Sequence, residues 1–121
     1  MKIEDIYWHD AVIHNIIVDR NNPGINDSLK FEIEWIDGKS SILIFNEVYW
    51  ANLMLNFGVV AEETILDVCL GNEDDVDYIR FKSIWEKYVD IRSFNIYIMN
   101  LNSTGGQVKI IAKSFSINGC L

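Results

Sequence analysis

The feature that most constrains the fold is a strand pattern over residues 29–36 that runs directly into Asp37-Gly38. Apolar and charged residues alternate along it: Phe31, Ile33 and Trp35 against Lys30, Glu32 and Glu34. Such alternation is typical of a strand with one buried face and one solvated face. Asp-Gly between two strand patterns predicts a tight hairpin, because both central residues of that turn take positive φ. The next strand, residues 40–46, is apolar on both faces and is predicted to be central.

The other elements are predicted from the same kind of pattern. Strands are expected at residues 12–19, 93–101 and 108–117, and helices at residues 61–70 and 74–88. Glu62 and Glu63 suit the first turn of the earlier helix, where the helix dipole favours anions, and Gly71 suits its end. The later helix carries apolar residues at helical spacing: Tyr78, Phe81, Ile84, Trp85 and Tyr88.

Residues 49–57 fit two conformations. Their apolar side chains recur at helical spacing, and they also alternate with polar ones as in a strand. Asn52 and Asn56 lower the helix propensity of the segment. We therefore favour an extended or irregular continuation of the preceding strand.

Together these patterns predict an α+β fold. The 121 residues fit one domain, residues 1–121, since domains cluster at roughly 100–150 residues. The expected architecture is a five-stranded, mostly antiparallel sheet in the order β-β-β-α-α-β-β, with both helices packed on one of its faces.

The charge of the chain indicates which partners it favours. Ten Lys and Arg residues against eighteen Asp and Glu residues give a formal charge of −8. Phosphate backbones repel such a chain, and its cations are scattered singly, so nucleic-acid binding is not expected. An acidic surface speeds encounter with a basic protein. The alternative is that the charge serves only to keep the protein soluble.

The sequence favours a cytoplasmic protein without a membrane segment. Cys69 and Cys120 lie far apart, in apolar surroundings and without a CxxC motif, which favours reduced thiols over disulfides. The first residues include acids where a secretory signal needs a basic segment followed by an apolar one. No apolar run approaches the ~20 residues that span a bilayer.

The pair His9-Asp10 invites comparison with metal-dependent phosphohydrolases. A metal shell of that kind needs further histidines, and the chain has only His14 besides. We therefore predict no metal, no cofactor and no catalytic residues. The alternative hypothesis is a small-molecule-binding or enzymatic domain in which His9, Asp10 and His14 act in a pocket between sheet and helices.

The densest acidic segment, residues 73–77, has two interpretations. It lacks the central glycine of a calcium loop and leads directly into an apolar helical pattern, so it is either the cap of a helix or a patch that docks a basic partner. Tyrosine and tryptophan are common interface anchors, although each is also a core residue. The candidate partner-binding surface is therefore composed of Tyr49, Trp50, Asp74, Asp75 and Asp77.

Several short motifs carry a resemblance to known families. They are Trp8-His9-Asp10-Ala11-Val12-Ile13, Asn22-Pro23-Gly24, Trp35-Ile36-Asp37-Gly38, Asn56-Phe57-Gly58 and Asn102-Ser103-Thr104. In these respects the chain resembles small bacterial families that include immunity-like proteins encoded beside polymorphic toxins. The resemblance implies a cytosolic inhibitor that binds a toxin domain, and it carries over no catalytic residue. A homo-oligomer is left open.

Overall fold

A computed structural model describes residues 1–119. In this part of the chain six strands form one sheet, and a single α-helix packs on it. The elements are β1 (Val12–Val18), β2 (Leu29–Glu34), β3 (Ser40–Met54), β4 (Ile65–Leu70), α1 (Val76–Trp85), β5 (Asn95–Leu101) and β6 (Gln107–Asn118), with 3-10 turns at Ile3–Asp5 and Ile91–Ser93. The strand order is β1-β2-β3-β6-β5-β4, and every neighbouring pair is antiparallel.

The prediction of five strands and two helices was wrong, because residues 61–70 form no helix. Their second part is the edge strand β4, paired with β5. A shift in register between Ile65 and Asp67 lets Ile65 and Val68 both point into the core, three residues apart. A β-bulge thus produced the apolar spacing of a helix. The later helix exists, but it is shorter than predicted, Val76–Trp85.

The uncertain segment 49–57 is largely extended. β3 continues to Met54 and pairs with β6 over most of its length. It bends at Glu47, whose φ is 50°, and its register against β6 shifts between Val48 and Trp50. The bend allows the first half of β3 to pair with β2 while the second half extends beyond β2.

The sheet curls until its two edge strands meet at one end. Ile65 donates its N–H to the carbonyl of Ala11 at 2.8 Å, and its own carbonyl accepts from Asp10 at 3.0 Å. Ile13 donates to the carbonyl of Glu63 at 2.8 Å. Beyond these three hydrogen bonds the edges of β1 and β4 separate.

The curled sheet has a different apolar core on each face. The concave face encloses the larger core, in which Phe31, Leu43, Phe45 and Ile110 are fully buried. On the convex face, Phe81 of α1 packs against Phe94, Ile96 and Ile111. The helix thereby covers part of one face of the sheet.

Among residues 1–119, no helix has both the length and the apolar character needed to cross a membrane.

Candidate functional site

The acids of residues 73–77 fall into two groups with different roles. Asp75 and Asp77 both bind Lys109 of β6, whose Nζ lies 2.8 Å and 2.7 Å from their Oδ2 atoms. The three side chains are only 14–20% exposed. Asp75 also accepts from the backbone N–H of Asp77 at 2.8 Å, which makes it the cap of α1. Two of the three predicted docking acids are therefore satisfied within the chain.

The electrostatics of this cluster favour its charged form. Burial alone would raise the pKa of Asp75, but the hydrogen bond from Lys109 and those from the backbone outweigh burial, so the pKa is lowered. Burial alone would lower the pKa of Lys109, but its hydrogen bonds to Asp75 and Asp77 outweigh that effect, so the pKa is raised. The cluster fixes the start of α1 to the centre of the sheet.

The predicted anchor Tyr49 lies at the other end of α1, whereas Trp50 pairs with Ile111 of β6, two residues from Lys109. Tyr49 packs its ring against Trp85 and Phe94, with centroid distances of 4.8 Å and 4.7 Å. Both anchors are half-buried, and Tyr49 borders a shallow groove of about 350 Å³ beside Glu47. Because Asp75 caps the first turn of α1 and Tyr49 contacts its last residue, the structure places Tyr49 apart from Asp75 and Asp77.

The uneven distribution of charge along the chain was a signal that the sequence interpretation missed. Residues 40–79 hold eight Asp or Glu residues and no Lys or Arg. Elsewhere in the chain, ten acids are matched by ten bases. The whole net charge of −8 therefore comes from one stretch of forty residues, which includes β4 and both of its flanking loops.

Four exposed acids of this stretch follow the course of β4, and we call them the acidic stripe: Glu62, Asp67, Glu73 and Asp74. Glu62 precedes β4, Asp67 projects from it, and Glu73 and Asp74 follow it. Within residues 1–119, none of the four takes part in an ion pair. They form a band of uncompensated negative charge along one edge of the sheet.

Neighbouring side chains show what else this edge presents. Leu66 and Leu70 of β4 are exposed between the acids. Burial raises the pKa of the Cys69 thiol, and the carboxylates of Asp67 and Glu4 raise it further, so these acids act on the same edge. Cys69 is a free thiol, whereas Cys120 lies outside the described residues. The edge thus combines exposed leucines with negative charge.

The two histidines make separate, exposed contacts. His9 lies with Nδ1 3.2 Å from Oδ2 of Asp10, and His14 lies with Nε2 2.8 Å from Oε1 of Glu34. His14 borders a groove beside β1 that does not include His9. In the part of the chain that the structure describes, no group of three or more His, Cys, Asp or Glu side chains is placed to hold a metal ion.

Comparison with known proteins adds no family assignment. No family model matches this chain, and no curated protein matches it.

Proposed function

We propose that this chain is a non-enzymatic, cytoplasmic protein-binding domain, an immunity-like inhibitor that docks a basic toxin domain on its acidic stripe. The observation that carries the proposal is the stripe itself. Its four carboxylates are exposed, lie along one strand edge and have no cation opposite them within residues 1–119.

The stripe has the composition that a protein interface needs. Uncompensated charge attracts an oppositely charged partner and raises its association rate. Exposed apolar side chains supply the burial that holds the complex, and Leu66 and Leu70 lie within the stripe. A strand held in a sheet also presents these groups with little conformational freedom to lose on binding.

Of the predicted acids, Asp74 fits this role best. Asp74 is exposed and belongs to the stripe, whereas Asp75 and Asp77 already bind Lys109. A partner that recruited Asp75 or Asp77 would first have to displace Lys109. We therefore assign docking to the stripe and assign the positioning of α1 to the Lys109 cluster.

The test compares two charge-reversed variants that differ only in location. Asp67→Lys with Glu73→Lys changes the stripe, and Asp37→Lys with Glu86→Lys changes acids elsewhere by the same charge. Each pair also removes one side-chain hydrogen bond, that of Asp67 with Asn100 or that of Asp37 with the Lys39 N–H. The control therefore matches the stripe variant in charge and in local disruption.

The measurement starts with affinity capture from the native host at two salt concentrations, with mass spectrometry to identify what is bound. The proposal predicts one basic protein, an association rate that the stripe variant lowers roughly tenfold or more, and loss of that protein's toxic activity on binding. Equal association rates for the two variants would remove the stripe from the mechanism. A bound protein whose activity is unaffected would contradict inhibition.

A further inference from the structure

The outer edge of β1 has backbone groups without a partner. Trp35 donates its N–H to the carbonyl of Lys39, and the carbonyl of Asp27 accepts from the N–H of Val48. The backbone N–H and C=O groups of the odd-numbered residues of β2 therefore point toward β3. Ile16 and Val18 lie opposite Phe31 and Leu29, two of those odd-numbered residues. The N–H and C=O groups of Ile16 and Val18 therefore point away from β2, and within residues 1–119 no other strand pairs with them.

A groove of about 400 Å³, lined by both apolar and polar residues, begins at Ile16 of this free edge. The far wall of the groove is the loop between β3 and β4, which contributes Leu55, Phe57 and Val59. Phe57 is 87% exposed, and Val60 at the tip of the loop is fully exposed. A free strand edge with exposed apolar side chains next to it is the arrangement to which an extended peptide adds as a further strand.

The charges around the groove select the kind of segment that fits. No Lys or Arg lines it, and its one carboxylate, that of Glu63, accepts a hydrogen bond from Thr104 Oγ1 at 2.6 Å. Glu62 of the acidic stripe is the residue before Glu63. At the end of β1, Asp19 is followed by Arg20, which is paired with Asp27 at 3.4 Å. Lys30 lies opposite Ile17 on β2, on the side of β1 away from the groove.

We propose that the free edge of β1 receives an extended, basic segment of the partner protein, which adds as a seventh strand and places alternate apolar side chains in the groove. This inference rests on the proposed binding of a basic protein and names how that protein is held. A second copy of the chain is a poorer occupant, because the acids beside the edge of each copy would then face each other.

The test uses a synthetic probe and a backbone variant. The probe is a ten-residue peptide of alternating Val and Lys, and its control is the same peptide with Glu in place of Lys. In Val18→Pro the outward N–H is absent, and proline is tolerated where an edge-strand N–H faces solvent. Val18→Thr is the matched control, since it changes the side chain and keeps the N–H.

The wild-type protein and Val18→Thr are expected to bind the lysine peptide, with amide hydrogen exchange at Ile16 and Val18 slowed roughly tenfold at saturation. Val18→Pro is expected to weaken binding about tenfold, as is Phe57→Ser, which removes the wall of the groove. Ile25→Ser, at an exposed isoleucine away from the groove, is expected to change nothing. Circular dichroism confirms that each variant is folded.

Four results would overturn the inference: no binding of the lysine peptide, equal binding of the glutamate peptide, unchanged binding by Val18→Pro, or a homodimer that Val18→Pro dissociates. The last result would identify a second copy as the occupant. These failures are distinct from failure of the proposed function. A captured basic partner that binds Val18→Pro normally but does not bind the stripe variant would uphold the function and reject this edge.

Discussion

The two edge strands, β1 and β4, hold equivalent places in the sheet, but the rest of the chain protects them differently. Each pairs with one neighbour, and they meet each other through three hydrogen bonds. Past that junction, the 3-10 turn Ile3–Asp5 packs beside β4. The corresponding part of β1 faces an open groove and an apolar loop.

This difference gives one sheet an edge that is covered, at β4, and an edge that is free to pair with a further strand, at β1. Unpaired strand edges invite association, and proteins commonly cover them or place charges on them. β4 has both protections, because the turn Ile3–Asp5 lies beside it and the acidic stripe follows it. β1 ends in Ile17 and Val18, which are both exposed and apolar. We therefore expect variants at the two edges to behave differently.

The largest expected effect comes from uncovering β4. Trp8 is buried and holds the turn in place by donating from Nε1 to the carbonyl of Ile3 at 2.7 Å. Trp8→Ala is expected to lower the free energy of unfolding by about 3–5 kcal/mol, as for other large buried aromatic residues. Trp8→Phe, which keeps a ring but loses the hydrogen bond, is expected to cost about 1 kcal/mol. Urea denaturation measures both.

The hydrogen-bond pattern of β4 makes this prediction specific to the edge. Gly71 donates to Ile96 across the ladder, so Val68 and Leu70 direct their N–H groups away from β5. Their amide exchange is expected to accelerate in Trp8→Ala more than that of Ile16 and Val18. Tyr7→Ala, at an exposed neighbour, is the control and should lie within about 0.5 kcal/mol of wild type. Equal acceleration at both edges would mean that the turn does not cover β4.

A smaller effect is expected where β4 leads into α1, at the Lys109 cluster. Lys109→Met leaves Asp75 and Asp77 without their cation and is expected to cost about 1–3 kcal/mol, the range for hydrogen bonds to charged groups. Lys113→Met is the control on the same strand, because Lys113 makes only weaker contacts: an exposed pair of 3.4 Å with Glu47 and a position 5.6 Å from the centre of the Phe94 ring. An exposed pair of that kind contributes about 0–1 kcal/mol.

The pH dependence of unfolding tests the same cluster. The pKa of Asp75 is lowered in the folded state, so its contribution is present above about pH 4 and is lost as pH falls further. The pKa of Lys109 is raised, so its contribution is present below about pH 10 and is lost as pH rises further. Lys109→Met should remove the alkaline change and reduce the acid change, because the backbone N–H groups of Asp77 and Tyr78 still hydrogen-bond Asp75. If the free energy of unfolding of Lys109→Met changed with acid and alkaline pH as in wild type, other groups would be responsible for those changes.

The sequence allowed prediction of the parts of the fold that local patterns determine. The hairpin at Asp37-Gly38 was predicted correctly, and β2 and β3 pair from Glu34 with Ser40 onward. The predicted turn type was wrong, because Gly38 takes a positive φ, of 87°, and Asp37 does not. Residues 61–70 were mistaken for a helix, because a bulge in a strand and a turn of helix give the same apolar spacing. Only pairing with β5, a distant part of the chain, distinguishes the two.

The candidate site was less predictable for a related reason. The acids of residues 73–77 look alike in sequence, and Lys109, which separates Asp75 and Asp77 from Asp74, lies more than thirty positions away. Tyr49 and Trp50 were recognised as aromatic, but their packing under α1 depends on the bend of β3 at Glu47. The clustering of net charge in residues 40–79 was visible in the sequence and would have indicated the stripe.

The smallest expected effect concerns association rather than stability. Val18→Lys on β1 and Leu70→Lys on β4 each add one positive charge at an exposed apolar position near the end of an edge strand. Each should change the free energy of unfolding by less than about 0.5 kcal/mol, as is usual for surface substitutions. A lysine on a free edge blocks strand pairing with another chain. Light scattering during mild heating should therefore show slower aggregation for Val18→Lys and a rate near wild type for Leu70→Lys, because the turn Ile3–Asp5 already lies beside β4. If both lysines slow aggregation equally, charge alone is responsible, and the two edges do not differ in their capacity to receive a strand.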